Sequence, residues 1–212
     1  MLIMFDLDGT LTDPFEGISR SVAHALDCMG LPGLTSMQQR SFIGPPLDDS
    51  FAALGLDESG NAQAVAHYRE YFSARGVFEN VVYDGVRQAL EELMGRSIRM
   101  AVATSKPTAF AERILTHFDL ARYFDFVSGA TMDGSRRHKT DIIDFALMSL
   151  GESPSGAVMV GDRAQDVVGA TASGVRSIGA RWGYAEPGEL EAAGAGQIVE
   201  TPGSLVTALN SL

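Results

Sequence analysis

The sequence predicts an α/β fold, a parallel sheet covered on both faces by helices, with a helical subdomain inserted after the first strand. Two observations carry this. Short apolar runs alternate with helix-length stretches from Ile98 onward, the pattern of strand–helix–strand crossovers. That alternation breaks once, between the first apolar run and Ile98, a stretch with several helical segments and no convincing strand. At 212 residues, 45% hydrophobic and 20% charged, the chain is large enough for one core domain with an insertion.

Taken in order, the first strand is Leu2–Phe5, an apolar run closed by the turn signal Gly9-Thr10. Helical stretches follow at Glu16–Met29, Ser36–Ile43, Leu47–Leu54 and Ala62–Gly76. In the first of these, Val22, Ala25, Leu26 and Met29 keep the three-to-four spacing of an apolar face. Gly30 to Gly33 and Gly44-Pro45-Pro46 are the internal turns. The insertion is therefore expected over residues 14–80, and the core domain over 1–13 and 81–212. A helix at Val86–Gly95 returns the chain to the sheet. Further strands are expected at Ile98–Thr104, Phe124–Ser128, Ala157–Gly161, Ser177–Ala180 and Gln197–Val199. The helices between them are Thr108–His117, Lys139–Leu150, Gln165–Ser173 and Pro187–Ala193. Right-handed crossovers place every strand's carboxyl end on one edge, where such sheets bind ligands.

The net charge of −11 disfavours a nucleic-acid polymer as partner, so an anionic ligand needs a local positive site. The densest basic run, Arg136-Arg137-His138-Lys139, is too short and isolated for a nucleic-acid surface. Cys28 is the single cysteine, which excludes an internal disulfide and fits a reducing compartment. Met1 to Phe5 runs directly into acidic residues and resembles neither a signal peptide nor a membrane span. A cytoplasmic protein with no membrane partner is expected, as monomer or homodimer.

Asp6 and Asp8 bracket one apolar residue where the first buried strand ends. Two carboxylates there are costly without a cation, and an oxygen-rich site suits magnesium. Read alone, Asp8 could instead cap an Asx turn. Asp162 and Asp166 follow the apolar run Ala157–Val160, four residues apart. A helix starting just after Gly161 would aim both at one edge, although capping could account for one of them. Thr104 and Ser105 end an apolar strand and precede Lys106-Pro107. Hydroxyls beside freed amides can clamp phosphate oxygens, or simply start a helix. Lys139, read alone, is a solvated lysine.

In order, Asp6-Leu-Asp8-Gly-Thr10, Thr104, Lys139 and Gly161-Asp162-Arg-Ala-Gln-Asp166 resemble the four motifs of the haloacid dehalogenase superfamily phosphatases, over nearly the full length. The resemblance implies a Rossmann-like core with a helical cap of the C1 type between the first and second motifs. It implies Asp6 as nucleophile, Asp8 as general acid/base and Lys139 as the third catalytic residue. Gly9, Thr104 and Ser105 are implied as phosphate-binding. Magnesium would be held by Asp6, by Asp8 through its backbone carbonyl, and by Asp162, with Asp166 one layer out or on the waters. Lys106 is a weaker candidate for the electropositive environment.

Departures from the common pattern concern the substrate. Lys139-Thr140 stands where phosphoglycolate phosphatases commonly have Lys-Pro. Phe42-Ile43-Gly44-Pro45-Pro46-Leu47, Thr104-Ser105-Lys106-Pro107 and Asp133-Gly134-Ser135-Arg136 resemble the branch with bacterial 5′-nucleotidases. The expected activity is hydrolysis of a small phosphorylated metabolite, phosphoglycolate-like or nucleotide-like, through an aspartyl-phosphate. The alternatives are a phosphomutase of the β-phosphoglucomutase type, a dehalogenase, or a non-catalytic binding member. The cap is expected to close over the phosphate and set the substrate. Gly44-Pro45-Pro46 and Arg20, Arg40 and Arg69 are its candidates, each arginine more simply a solvated helix residue. His24, His67 and His117 read as packing or surface residues, and His138 as only a sequence neighbour of Lys139.

Overall fold

In the computed structural model, which describes residues 1–209, the chain opens with β1 (Leu2–Phe5), whose four side chains are all buried. It then forms the short β2 (Thr12–Asp13). Helices α1 (Phe15–Cys28), α2 (Ser36–Arg40), α3 (Leu47–Ala52) and α4 (Glu58–Ala74) follow. β3 (Val81–Val82) pairs with β2, and α5 (Val86–Gly95) leads into β4 (Arg99–Pro107). The chain continues through α6 (Thr108–His117), β5 (Phe126–Ala130), α7 (Lys139–Leu150) and β6 (Ala157–Gly161). It ends with α8 (Ala164–Ala172), β7 (Arg176–Ala180), α9 (Glu189–Ala192), β8 (Gln197–Val199) and α10 (Pro202–Leu209).

Two compact units result: residues 1–13 with 82–212, and residues 14–81. In the first, six strands form one sheet in the order β5-β4-β1-β6-β7-β8, and each pair is parallel. β1 lies between β4 and β6, so the sheet grows outward in both directions from its first strand. The crevice beyond the carboxyl ends of these three strands is the ligand site of such sheets. Burial on both faces explains why β1 is a continuous apolar run rather than an alternating one. One face packs on α7 and α8, where Leu2, Met4, Ala101, Ala103 and Met159 meet Ile142, Ile143, Ala146 and Ala170. On the other face α5 and α10 pack together, and Phe5 and Leu11 share a small cavity with Val86, Leu90 and Leu205.

The second unit is built on α1 against α4. Its aromatic core links Phe42, Phe51, Tyr68 and Phe72 through successive ring contacts at 5.0, 6.3 and 5.4 Å. α1 carries a glycine at a point where a side chain is impossible, since a Cβ on Gly17 would lie 2.1 Å from the Gly76 carbonyl oxygen. No helix among the described residues is long and apolar enough to cross a membrane.

Several boundaries differ from the sequence expectation. β4 does not end at Thr104: Thr104 and Ser105 lie inside a strand that runs to Pro107, with a register shift against β5 between Thr104 and Pro107. A strand interrupted in this way reads, in sequence, as a strand followed by a helix start. β5 begins at Phe126 rather than Phe124, because a 3-10 turn at Ala121–Tyr123 precedes it and Ala101 pairs first with Phe126. α8 begins at Ala164, three residues after Gly161. α10 was not expected at all.

Candidate active site

Three neighbouring strands deliver the candidate residues. Asp6 follows β1, and its amide extends the ladder by donating to Val160 O of β6 at 2.9 Å. Its backbone is therefore fixed by the sheet, and the residue is buried at 4% exposure. Lys139 is the first residue of α7 and is itself buried. Its ammonium lies 3.0 Å from Asp6 Oδ1 and 2.6 Å from Asp166 Oδ1, and donates to Ala103 O at 3.1 Å. Burial by itself would lower the lysine's pKa. The charges of Asp166 and Asp6 outweigh it and raise the group well above the ordinary lysine range. Lys139 is thus a held cation and not the solvated lysine that its residue type suggests.

Asp162 comes just after β6 and has no exposed surface. Its Oδ1 accepts from the Thr10 hydroxyl at 3.0 Å and its Oδ2 from the Tyr184 amide at 2.8 Å. Two glycines make room for it. A Cβ on Gly9 would lie 2.2 Å from Asp162 Oδ2, and one on Gly183 would lie 2.3 Å from Asp162 Cβ. Asp166 Oδ2 accepts from the Arg163 amide at 3.0 Å, closing the first turn of α8. Burial, with Asp166 and Asp6 nearby, pushes the Asp162 carboxyl well above its usual range. For Asp166, burial outweighs the attraction of Lys139 and raises the group to about 6.

Asp8 stands apart from that cluster. Its Oδ2 is 2.7 Å from the ammonium of Lys106, itself almost buried on β4, while Oδ1 is buried with no hydrogen-bond partner among the described residues. Burial raises its pKa despite Lys106. Thr104, also buried, accepts the Lys106 amide on Oγ1 at 3.3 Å, and Ser105 beside it is half-buried. Gly9 lies in the loop between Asp8 and Thr10, packed against Asp162. Its amide donates to Thr12 O at 2.7 Å, and its missing side chain leaves space for Asp162, at a φ of +88° that favours glycine.

Asp6, Asp162 and Asp166 each offer a carboxylate oxygen within 4.8 Å of the others. One ammonium, Lys139, is shared between two of these three buried acids. The excess negative charge and the all-oxygen donor set fit a hard divalent cation such as Mg²⁺. The Asp8 side chain lies outside this group, held by Lys106.

Sequence reasoning underweighted Lys106 and missed Thr10, Gly183 and Tyr184. Thr10 carried a signal, since it belongs to the first motif. The other two act through a backbone amide and an absent side chain, which leave none. In the helical unit, Arg20 is engaged by Glu16 and by Glu79 at 2.6 Å, and His24 and His67 both face Glu70. His117 packs edge-on against Phe118.

Comparison with known proteins agrees with this geometry. The family model of the haloacid dehalogenase-like hydrolases matches residues 3–180. A 5′-nucleotidase of Pseudomonas aeruginosa is 45% identical over 191 residues, 90% of this chain and 86% of that protein. The tyrosine-protein kinase PtkA of Mycobacterium tuberculosis is 43% identical over 183 residues, 86% of this chain but 62% of the longer PtkA. A predicted phosphatase from Clostridium acetobutylicum superposes with a TM-score of 0.96 at 42% identity, covering 100% of this chain and 98% of that one.

Proposed function

Because the chain belongs to the family of haloacid dehalogenase-like hydrolases, we propose that it is a Mg²⁺-dependent phosphatase that hydrolyses a small phosphomonoester through an aspartyl-phosphate. The observation that carries this reading is the meeting of Asp6, Asp162 and Asp166 at the carboxyl ends of adjacent strands, with Lys139 bridging Asp6 and Asp166. A buried carboxylate held by a lysine is a nucleophile already oriented and stripped of water.

In the first half-reaction an Asp6 oxygen bonds to phosphorus as the bond to the leaving oxygen breaks. The electron pair goes to that oxygen, and Asp8 supplies its proton. In the second, water attacks the aspartyl-phosphate, Asp8 takes the water's proton, and the bond from Asp6 to phosphorus breaks to release phosphate. Thr104 and Ser105 bind the phosphoryl oxygens, and Lys139 offsets the charge on Asp6 throughout. Asp6 and Asp162 would hold Mg²⁺, with the Asp8 carbonyl, and Asp166 would hold Lys139 and the surrounding water. The cation, when bound, neutralises charge on the phosphoryl group. A bound cation would favour the ionised form of Asp162, which burial opposes.

Selectivity is assigned to the helical unit, residues 14–81. The P. aeruginosa relative's name supports a nucleoside monophosphate as the first substrate to try, ahead of phosphoglycolate and sugar phosphates. The test is phosphate release by the purified protein from these three classes, with and without Mg²⁺ and with Asp6→Asn as control. Magnesium-dependent release that D6N abolishes supports the proposal. No release from any class, or release that D6N leaves intact, overturns it.

A further inference from the structure

The two oxygens of Asp8 sit in different surroundings. Oδ2 is held by a cation at 2.7 Å, and Oδ1 is buried and unpartnered among the described residues. A carboxylic acid can carry its proton on either oxygen, and the environment decides which. Nζ of Lys106 is a donor with no acceptor capacity, so a proton on Oδ2 would oppose an N–H at hydrogen-bond distance. Only the form protonated on Oδ1 keeps Oδ2 as acceptor for the lysine.

We propose that Lys106 is a positioning residue for the general acid, holding Asp8 by Oδ2 so that the transferable proton resides on Oδ1, the oxygen left for the leaving group. The proposal rests on the phosphatase reading above. A further feature supports it. Lys106 is fixed in place, because its amide donates to Thr104 Oγ1 and it lies within β4 where the register against β5 shifts. Along this stretch Thr104 and Lys106 are buried while Ser105 between them is half-buried, so the lysine side chain is held inside, next to the first motif. Lys106 itself touches no reacting atom in this scheme. It acts only through Asp8.

A role through the acid has a signature that a purely structural role lacks. Loss of proton donation harms esters with poor leaving groups, such as alkyl phosphates, and spares p-nitrophenyl phosphate, whose leaving group departs without a proton. The value of kcat/KM, which reports steps up to loss of the leaving group, is compared for wild type, Lys106→Met, Lys106→Arg, Asp8→Asn and the double variant. K106M is expected to lose about a hundredfold on glycerol phosphate or a nucleoside monophosphate, and less than about threefold on p-nitrophenyl phosphate. K106R should recover much of the loss, and K106M should add almost nothing in the D8N background. An equal loss on both ester types, or independent additive losses in the double variant, overturns the proposal. Should K106M not fold, K106Q read against D8N decides in the same way. A wild-type protein that hydrolyses neither ester type would refute the phosphatase reading instead, which separates the two failures.

Discussion

Lys139 Nζ lies 2.6 Å from Asp166 Oδ1 and bridges it to Asp6 at 3.0 Å, so one buried cation holds two carboxylates that would otherwise repel. Both acids are anchored separately, Asp6 by the sheet and Asp166 by the Arg163 amide. Neither can move far if the lysine is lost. Lys139→Met should therefore leave two buried charges uncompensated, costing about 3–5 kcal/mol at neutral pH. Phosphatase activity should fall by about a thousandfold or more. Urea denaturation and phosphate release measure the two effects, and near-wild-type stability with lost activity would show that the bridge matters to catalysis alone.

The stem of that lysine passes over a glycine. A Cβ on Gly169 of α8 would come within 2.7 Å of Lys139 Cγ and 2.8 Å of its Cβ. On helix propensity alone Gly169→Ala should gain about 1 kcal/mol. The contact falls on the rigid root of the side chain, where α7 and α8 pack, so the clash should win. G169A is expected to lower the melting temperature and to reduce kcat by about tenfold through displacement of Nζ. Thermal denaturation and steady-state kinetics check it, and a more stable, fully active variant would contradict it.

How much of this was legible in the sequence follows the physics of each feature. β1 and Asp6-Leu-Asp8-Gly-Thr10 were readable because a doubly buried strand is a run of apolar residues, and buried carboxylates announce a need for charge compensation. The alternation of strands and helices fixed the carboxyl edge on which Thr104, Lys139 and Asp162 meet. What escaped was whatever depends on register or backbone. Lys106 is buried because β4 continues past Thr104 to Pro107, while Thr-Ser before Lys-Pro looks like a helix start. The Gly9 amide is bound inside its own loop, a fact no motif records.

The carboxylate cluster makes a pH prediction for the metal-free protein. Asp166 is raised from 3.8 to about 6 by burial. Its folded form binds a proton more tightly than its unfolded form, so its contribution favours the fold below about pH 4. That contribution is lost as pH rises through about 6, and Asp162, raised in the same direction, adds to the trend. In chelator, the melting temperature should decline across this window. Mg²⁺ binds the ionised cluster and should reverse the decline at neutral pH. Differential scanning calorimetry against pH, with EDTA and with Mg²⁺, tests the sign. A chelated protein that gains stability from pH 4 to pH 7 would refute it.

The loop after β7 offers a pair of variants with opposite outcomes. Gly183 is pressed between Asp162 and the first motif, since a Cβ there would lie 2.3 Å from Asp162 Cβ and 2.4 Å from Gly9 O. The Trp182 indole donates to Thr10 O at 3.0 Å, so the loop is tied to the motif and cannot swing away. Gly183→Ala must therefore shift the Asp162 carboxylate. Tyr184 meets the same carboxylate through its amide, while its hydroxyl bonds Asp13. Tyr184→Phe removes the hydroxyl and leaves the amide in place. G183A is expected to weaken Mg²⁺ binding by about tenfold or more, and Y184F to change it by less than about threefold. Metal titration followed by calorimetry reads affinity directly, without reference to turnover. Equal affinities for G183A and wild type would mean that the glycine contact does not set the position of Asp162.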